Sequence, residues 1–296
     1  MRISTIPDMP DDFELVIFGD DQEGNAAKAT EKYLECIDYI CSGENRYGIH
    51  MGDVMDAFWI DDKRYDETTV SSRPAEQIKR SITQLAPLAK TGRLLSKIKG
   101  NHEKALEMKL QRLGVDWNIN EQLCAQLRAM SGTQYPIEGT YTNKIVFADK
   151  DNKPMWGGYF THGKRQISSI SPDPHRKLAN KQYRLKILLQ EMAADCILMV
   201  MAHIHIVLVT PPLPTVYLTS EKGKLKQNYT HGGSGRLGSY IHPDHRWYGV
   251  SGSFLKTFVE DMESYSELAQ YNPSELGYLK SVTIGRQMVD LQEVKV

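Results

Sequence analysis

The sequence is poor in the features that would make it a cross-linked or membrane-resident chain. Four cysteines occur in 296 residues, at 36, 41, 124 and 196, and none forms a C-x-x-C pair. That spacing excludes a disulfide framework and a cysteine-based zinc knuckle, and the thiols read as buried groups in a reducing compartment. No apolar run reaches the ~20 residues of a membrane-spanning helix. The longest, near residues 196–209, is interrupted by His203 and His205. The opening stretch MRISTIPDMPDDFEL has no apolar centre of the secretory-signal kind, so a cytoplasmic location is expected. An excess of charge is also lacking: 36 Lys and Arg stand against 37 Asp and Glu. No global field therefore draws the chain to nucleic acid, although a local basic groove is compatible with this balance. Repeats, low-complexity tracts and linkers are missing too, and the length suits one large α/β domain over 1–296.

What the chain does have is a succession of short apolar runs that stop abruptly at Gly, Asp, Asn or His. FELVIF at 13–18 reads as a buried strand, followed by the oxygen-rich turn Asp20-Asp21-Gln22-Glu23-Gly24-Asn25. Residues 26–41 carry Ala29, Tyr33, Leu34, Ile37 and Ile40 on one helical face, and 47–51 is a second strand delivering Gly52-Asp53. Strand, acidic turn, helix and strand make a βαβ unit with parallel strands. After a polar surface excursion at 56–72, Pro74 suits the first turn of a helix reaching Lys90. Residues 94–98 form a strand that ends at Lys99-Gly100-Asn101-His102-Glu103. The stretch 103–130 reads as helical with a break near Gly114, and 103–139 as a candidate partial lid. Strands at 137–148 and 155–160 flank a turn, and the second delivers His162. A basic amphipathic helix at 172–195 and a strand at 196–201 lead to His203 and His205. Shorter strands at 207–220 and 224–229, a glycine loop at 232–238 and a hairpin at 282–294 turning at Gly285-Arg286 follow, so that 207–296 completes the second sheet. This order fits an α/β fold of two packed sheets with helices outside.

Five blocks lie at the ends of these runs: FGDDQEG, MGDVMD, KGNHE, FTHG and AHIH. Carboxylates and imidazoles gathered at strand ends suit divalent metals. The ordered set Asp, Asp, Asn-His, His and His-x-His over residues 17–205 resembles the calcineurin-like metallophosphoesterase family, whose motifs run D-x-H, G-D-x-x, G-N-H-[D/E], H and G-H-x-H. The resemblance implies a four-layer αββα sandwich of two mixed sheets with outer helices. It also implies two divalent metal ions, Mn foremost, with Mg, Fe, Zn or Ni as alternatives. Asp53 would bridge them, with Asp20, Gln22 and His205 completing one site and Asn101, His162 and His203 the other. Two such ions, about 3.5–4 Å apart, supply hydroxide near neutral pH for in-line attack on phosphorus. His102 would serve as the catalytic proton or hydrogen-bond donor toward the leaving oxygen. Glu103 would either orient His102 or lie solvated on a helix.

Two departures from the family pattern stand out. Gln22 replaces the first-motif histidine, and as a neutral oxygen ligand it should weaken the first site and favour Mn or Mg over Zn. Ala202 replaces the glycine before H-x-H, which matters only if the turn needs positive φ. Asp21 should point away from Asp20 and is a reserve ligand. His50 reads as a packed core residue, and His175, His242 and His245 as solvated. His231 imitates the fourth motif but comes after H-x-H, so chain order favours His162. Lys164, Arg165 and Arg176 suit a phosphate backbone or simply a solvated basic face, and Trp156, Trp247 and Tyr248 suit base stacking or, more commonly, a core. The expected activity is hydrolysis of a phosphate ester, leaning to a phosphodiester or nucleic acid on the strength of the basic stretches 177–186 and 222–226. A phosphomonoesterase acting on protein or small molecules, and a catalytically weakened metal-binding scaffold, are the alternatives.

Overall fold

The computed structural model describes residues 1–58, 73–164, 166–230, 240–261 and 265–296. The expectations for residues 59–72, Arg165, His231 and the glycine loop at 232–238 lie outside these. In chain order the elements are β1 (Arg2–Ile6), β2 (Phe13–Phe18), α1 (Thr30–Ser42), β3 (Arg46–His50), α2 (Pro74–Lys90), β4 (Leu94–Lys97), α3 (Asn101–Arg112), α4 (Ile119–Ser131) and β5 (Ile137–Glu138). There follow β6 (Thr142–Ala148), β7 (Pro154–Thr161), α5 (Pro174–Leu189), β8 (Leu198–Met201), β9 (Val207–Thr210), β10 (Val216–Glu221), β11 (Lys224–Tyr229), β12 (Trp247–Ser251), α6 (Tyr265–Leu268), β13 (Gly277–Ile284) and β14 (Gln287–Lys295).

One six-stranded sheet has the order β14-β13-β2-β3-β4-β5, and the other β1-β6-β7-β8-β12-β9. Both are mixed: β2, β3, β4 and β5 run parallel while β13 is antiparallel to β2, and β7, β8 and β12 run parallel while β6 is parallel to β1 but antiparallel to β7, and β9 is antiparallel to β12. The sheets face each other across a core of Leu15, Ile17 and Ile49 from the first and Ile145, Phe147 and Val200 from the second. Phe13 stacks on Trp156 at 6.0 Å between centroids, and Trp156 in turn meets Phe147 at 4.2 Å. Trp156 and Tyr248 are thus core residues, unavailable for base stacking. On the outer face of the first sheet, Val16 and Phe18 pack against α1, α2 and α4 through Tyr33, Ile37, Leu85, Leu123 and Leu127. On the outer face of the second, Met199 and Val250 pack against Leu185 and Leu189 of α5. The result is the expected layered α/β sandwich.

The differences from the sequence reading have local causes. The helix expected from 26 begins at Thr30, because the preceding residues are taken up by turns closed by Asn25 N–H to Gln22 O (3.0 Å) and Lys28 N–H to Asn25 O (3.1 Å) and by isolated bridges from Glu23 to Met55 and Lys28 to Leu255. The run at 137–148 is two strands, β5 in one sheet and β6 in the other, since the chain crosses between sheets at residues 139–141. Pro211, Pro212 and Pro214 lack N–H donors and divide 207–220 into β9, which joins a sheet, and β10, which pairs only with β11 in a projecting hairpin. Residues 207–296 supply strands to both sheets and do not complete the second alone, because β13 and β14 join β2. β1 and β12 were not anticipated: β1 is a mostly exposed edge strand, and β12 is a short buried one. The stretch after Gly114 forms α4, whose Ile119, Leu123 and Leu127 are buried in the helical layer.

Candidate metal centre

The parallel strands of both sheets end on one side, and their carboxyl-end loops meet there. β2 leads into Asp20 and Gln22, β3 into Gly52 and Asp53, β4 into Gly100 and Asn101, β7 into His162, and β8 into His203 and His205. Carboxyl-end loops are where α/β sheets build sites. The backbone here is unusual: Asp20, Gln22, Asp53, His203 and His205 all have left-handed φ, between 45° and 76°. Each such residue costs about 1 kcal/mol or more and persists only where its surroundings over-determine it. Those surroundings are hydrogen bonds between loops. Asp20 N–H donates to Gly52 O (3.0 Å), Gln22 N–H to Asp53 O (2.9 Å) and Phe254 N–H to Asp20 O (3.1 Å). Ser253 Oγ also donates to Asp20 O at 2.9 Å.

Glycine is required at two contact points. A Cβ on Gly52, whose φ is 95°, would meet Gly100 N at 2.7 Å and His162 Nδ1 at 2.9 Å. A Cβ on Gly100 would lie 2.0 Å from Asp53 Oδ1. The β3 and β4 loops therefore touch backbone to side chain, and helix α3 begins at Asn101 itself. Asp53 Oδ1 accepts the His102 N–H at 2.9 Å, so this carboxylate caps the helix N-terminus.

Ligand atoms converge next to this cap. One ligand atom each of Asp53, His162 and His203 lie within 4.8 Å of one another. His162 Nε2 is 3.2 Å from Asp53 Oδ2 and 2.8 Å from Asn101 Oδ1. Its Nδ1 is 2.8 Å from the Met51 carbonyl, which fixes the ring. Asp20 Oδ2 accepts the His203 N–H at 2.8 Å. Asp20 Oδ1 is buried with no hydrogen-bond partner, 4.0 Å from both His162 Nδ1 and His205 Nε2. Gln22 is 4 % exposed in the same loop and is tied by its backbone to Asp53. His102 stands at the edge, with Nε2 3.9 Å from Asp53 Oδ2 and Nδ1 2.5 Å from the Asp56 carbonyl.

The protonation pattern follows from this geometry. Burial pushes the Asp20 carboxyl up to about 8, with the Asp53 charge adding to the shift against the pull of His162. Burial opposes charge on His162, yet Asp53 and Asp20 lift it to about 10. Burial likewise opposes ionisation of Asp53, but the His162 and His102 charges hold it far below the usual carboxylate range. His203 and His205 are lowered to about 4, chiefly by burial, and are neutral. With Nδ1 facing a carbonyl and Nε2 facing two acceptor oxygens, His162 carries protons on both nitrogens. A divalent cation satisfies the same oxygens and the unpaired Asp20 Oδ1, so the donor set fits a metal ion, and this buried Asp/His group can hold one.

All seven predicted ligands and His102 fall on these loops, whereas three other expectations fail. Asp21 is not a reserve ligand: its oxygens take Lys28 Nζ at 2.7 Å and His50 Nε2 at 2.8 Å. Glu103 neither orients His102 nor faces solvent; it is fully buried and binds the backbone of the Asp53 loop. Asp56, assigned to a surface excursion, is fully buried against His102. Ala202 needs no positive φ, because the left-handed residues are His203 and His205. His50 is the packed residue expected, His175 and His242 are exposed, and His245 is half-buried. Ser253 and Phe254 clamp Asp20 from the far end of the chain, and nothing in the sequence marks them as part of the site. No protein-family model matches this chain, and a search of curated proteins finds no match. Among the described residues, no helix is long and apolar enough to cross a membrane.

Proposed function

We propose that this protein is a metal-dependent phosphoesterase of the calcineurin-like kind, acting on a phosphodiester or nucleic acid. The observation that carries the reading is the convergence of Asp53, His162 and His203 beside an unpartnered, buried Asp20 oxygen. Asp53 would be shared between two divalent ions, Mn foremost, with Asp20, Gln22 and His205 on one side and Asn101, His162 and His203 on the other. Such ions act as Lewis acids on phosphoryl oxygens and lower the pKa of water.

The chain's own residues do the rest. The Met51 carbonyl fixes His162 so that Nε2 points at the centre, and the Asp56 carbonyl does the same for His102. His102 Nε2 then sits 3.9 Å from Asp53 Oδ2 and outside the ligand cluster, where it delivers a proton or hydrogen bond to a departing oxygen. The exposed α5 residues Arg176 and Lys177 and the hairpin residues Lys224 and Lys226 give a polyanionic substrate cationic surface to meet.

The test is hydrolysis of bis-p-nitrophenyl phosphate with added Mn, in wild type and His102→Ala. Turnover in wild type, lost by about 10²–10⁴-fold in the variant at unchanged metal content, supports the reading. Wild-type protein with bound metal but no turnover on any phosphate ester refutes it in favour of a binding scaffold.

A further inference from the structure

Glu103 carries more of the centre's geometry than its place beside His102 suggests. Its side chain is fully buried and accepts from four donors. Oε1 takes Val54 N–H at 3.2 Å and Lys97 Nζ at 3.0 Å. Oε2 takes Asp53 N–H at 3.2 Å and Gly100 N–H at 3.1 Å. Three of these donors are backbone groups on the two loops that present Asp53 and Asn101-His102. Lys97 has no exposed surface either, and Asn120 Oδ1 holds it from the other side at 2.7 Å. Asn120 is fixed in turn by donating to Gly139 O at 2.8 Å.

A buried ion pair is weak evidence for stability, because desolvation offsets most of the attraction; its better-attested use is to enforce one arrangement. Here both carboxylate oxygens face ligand-bearing backbone, and the fastened loops meet at Gly100. We infer that Glu103 is the positioning residue of the metal centre: it fastens the backbone of Asp53 to that of Gly100 and so sets the spacing between the Asp53 carboxylate and the Asn101-His102 pair. Lys97 is its counter-charge and Asn120 its brace. The inference rests on the metal-centre reading above.

The experiment is calorimetric titration of the full chain with Mn²⁺ alone, in wild type, Glu103→Gln, Lys97→Met/Glu103→Gln and Arg246→Met. The double variant carries no unpaired buried charge, so it decides the question if the single variant does not fold. Arg246 is a control of similar burial: it is 1 % exposed and donates to the carbonyls of Ile241 (2.7 Å) and Gln190 (2.8 Å). Removal of outer partners of metal ligands typically lowers affinity about 10–100-fold. Both Glu103 variants should lose Mn affinity by that factor, while Arg246→Met lowers the melting temperature in EDTA and leaves Mn affinity unchanged. Wild-type Mn affinity in the folded Glu103 variants overturns the positioning role and leaves the metal reading standing. An equal loss in Arg246→Met also overturns it, by assigning the effect to general destabilisation. No uptake of Mn by wild type overturns both.

Discussion

Asp20 and Asp21 are adjacent and both fully buried, yet they belong to clusters of opposite kind. Asp21 sits in a cluster that contains its own cation. Lys28 Nζ bonds Asp21 (2.7 Å), Glu23 (2.9 Å) and Gln84 (2.7 Å), and His50 closes the other Asp21 oxygen at 2.8 Å. Burial works against the Asp21 charge, but Lys28 and His50 hold its pKa below the ordinary carboxylate range. Asp20 and Asp53 have no Lys or Arg partner among the described residues. Their positive charge is a proton on His162, and one Asp20 oxygen is left over. The difference separates a structural acid from a proposed ligand acid. A closed cluster balances its charges with covalently attached groups, whereas an open one balances them with exchangeable protons that a metal ion can replace.

The largest effect is expected from Asp53→Ala, which removes the carboxylate common to the whole open cluster. Bound Mn, measured by elemental analysis, should fall to background, and the helix should lose about 1 kcal/mol of capping, measured by denaturation in EDTA. Lys28→Met should do the reverse. By leaving the buried Asp21 carboxylate without its ammonium partner it should cost about 3–5 kcal/mol of stability, while bound Mn per folded chain stays unchanged. The third prediction concerns pH. Metal binding needs Asp20 and His162 deprotonated, and their pKa values of about 8 and about 10 lie above neutral. Protons are therefore released on binding, and Mn affinity rises with pH from 6 to 8. The slope is about tenfold per pH unit for each proton displaced, readable by titration in buffers of different ionisation enthalpy. His203 and His205, neutral above about 4, contribute nothing to this slope. The smallest effect is expected from Gln22→His, which exchanges a neutral oxygen for an imidazole. Competition between Zn and Mn should shift toward Zn, with the melting temperature in EDTA unaltered.

Much of the centre was legible because its residues close apolar strands. A strand that ends in Gly-Asp or Gly-Asn-His announces a carboxyl-end loop, and five such endings in order placed Asp20, Asp53, Asn101, His162 and His203 on one edge. The layered architecture followed from the same punctuation. What stayed hidden depends on side-chain direction and long-range pairing. Glu103 follows His102 at the start of a helix, and only the fold turns it inward under the Asp53 loop. Asp56 opens a polar stretch and looks solvated, yet its carbonyl orients His102. Asp21 differs from Asp20 by one position, and only Lys28, seven residues on, decides which acid is closed. Ser253 and Phe254 lie more than two hundred residues from Asp20, so no local pattern predicts their bonds to its carbonyl. The crossover of the chain at residues 139–141 was invisible because one apolar run serves two sheets.

The most direct test of a two-metal centre built on Asp53 is the metal content of the full chain after dialysis against Mn at pH 8, in wild type and Asp53→Ala. Two Mn per wild-type chain and none in the variant are expected. A wild-type protein that is folded and carries no metal would contradict such a centre, for the open cluster would then be balanced by protons alone.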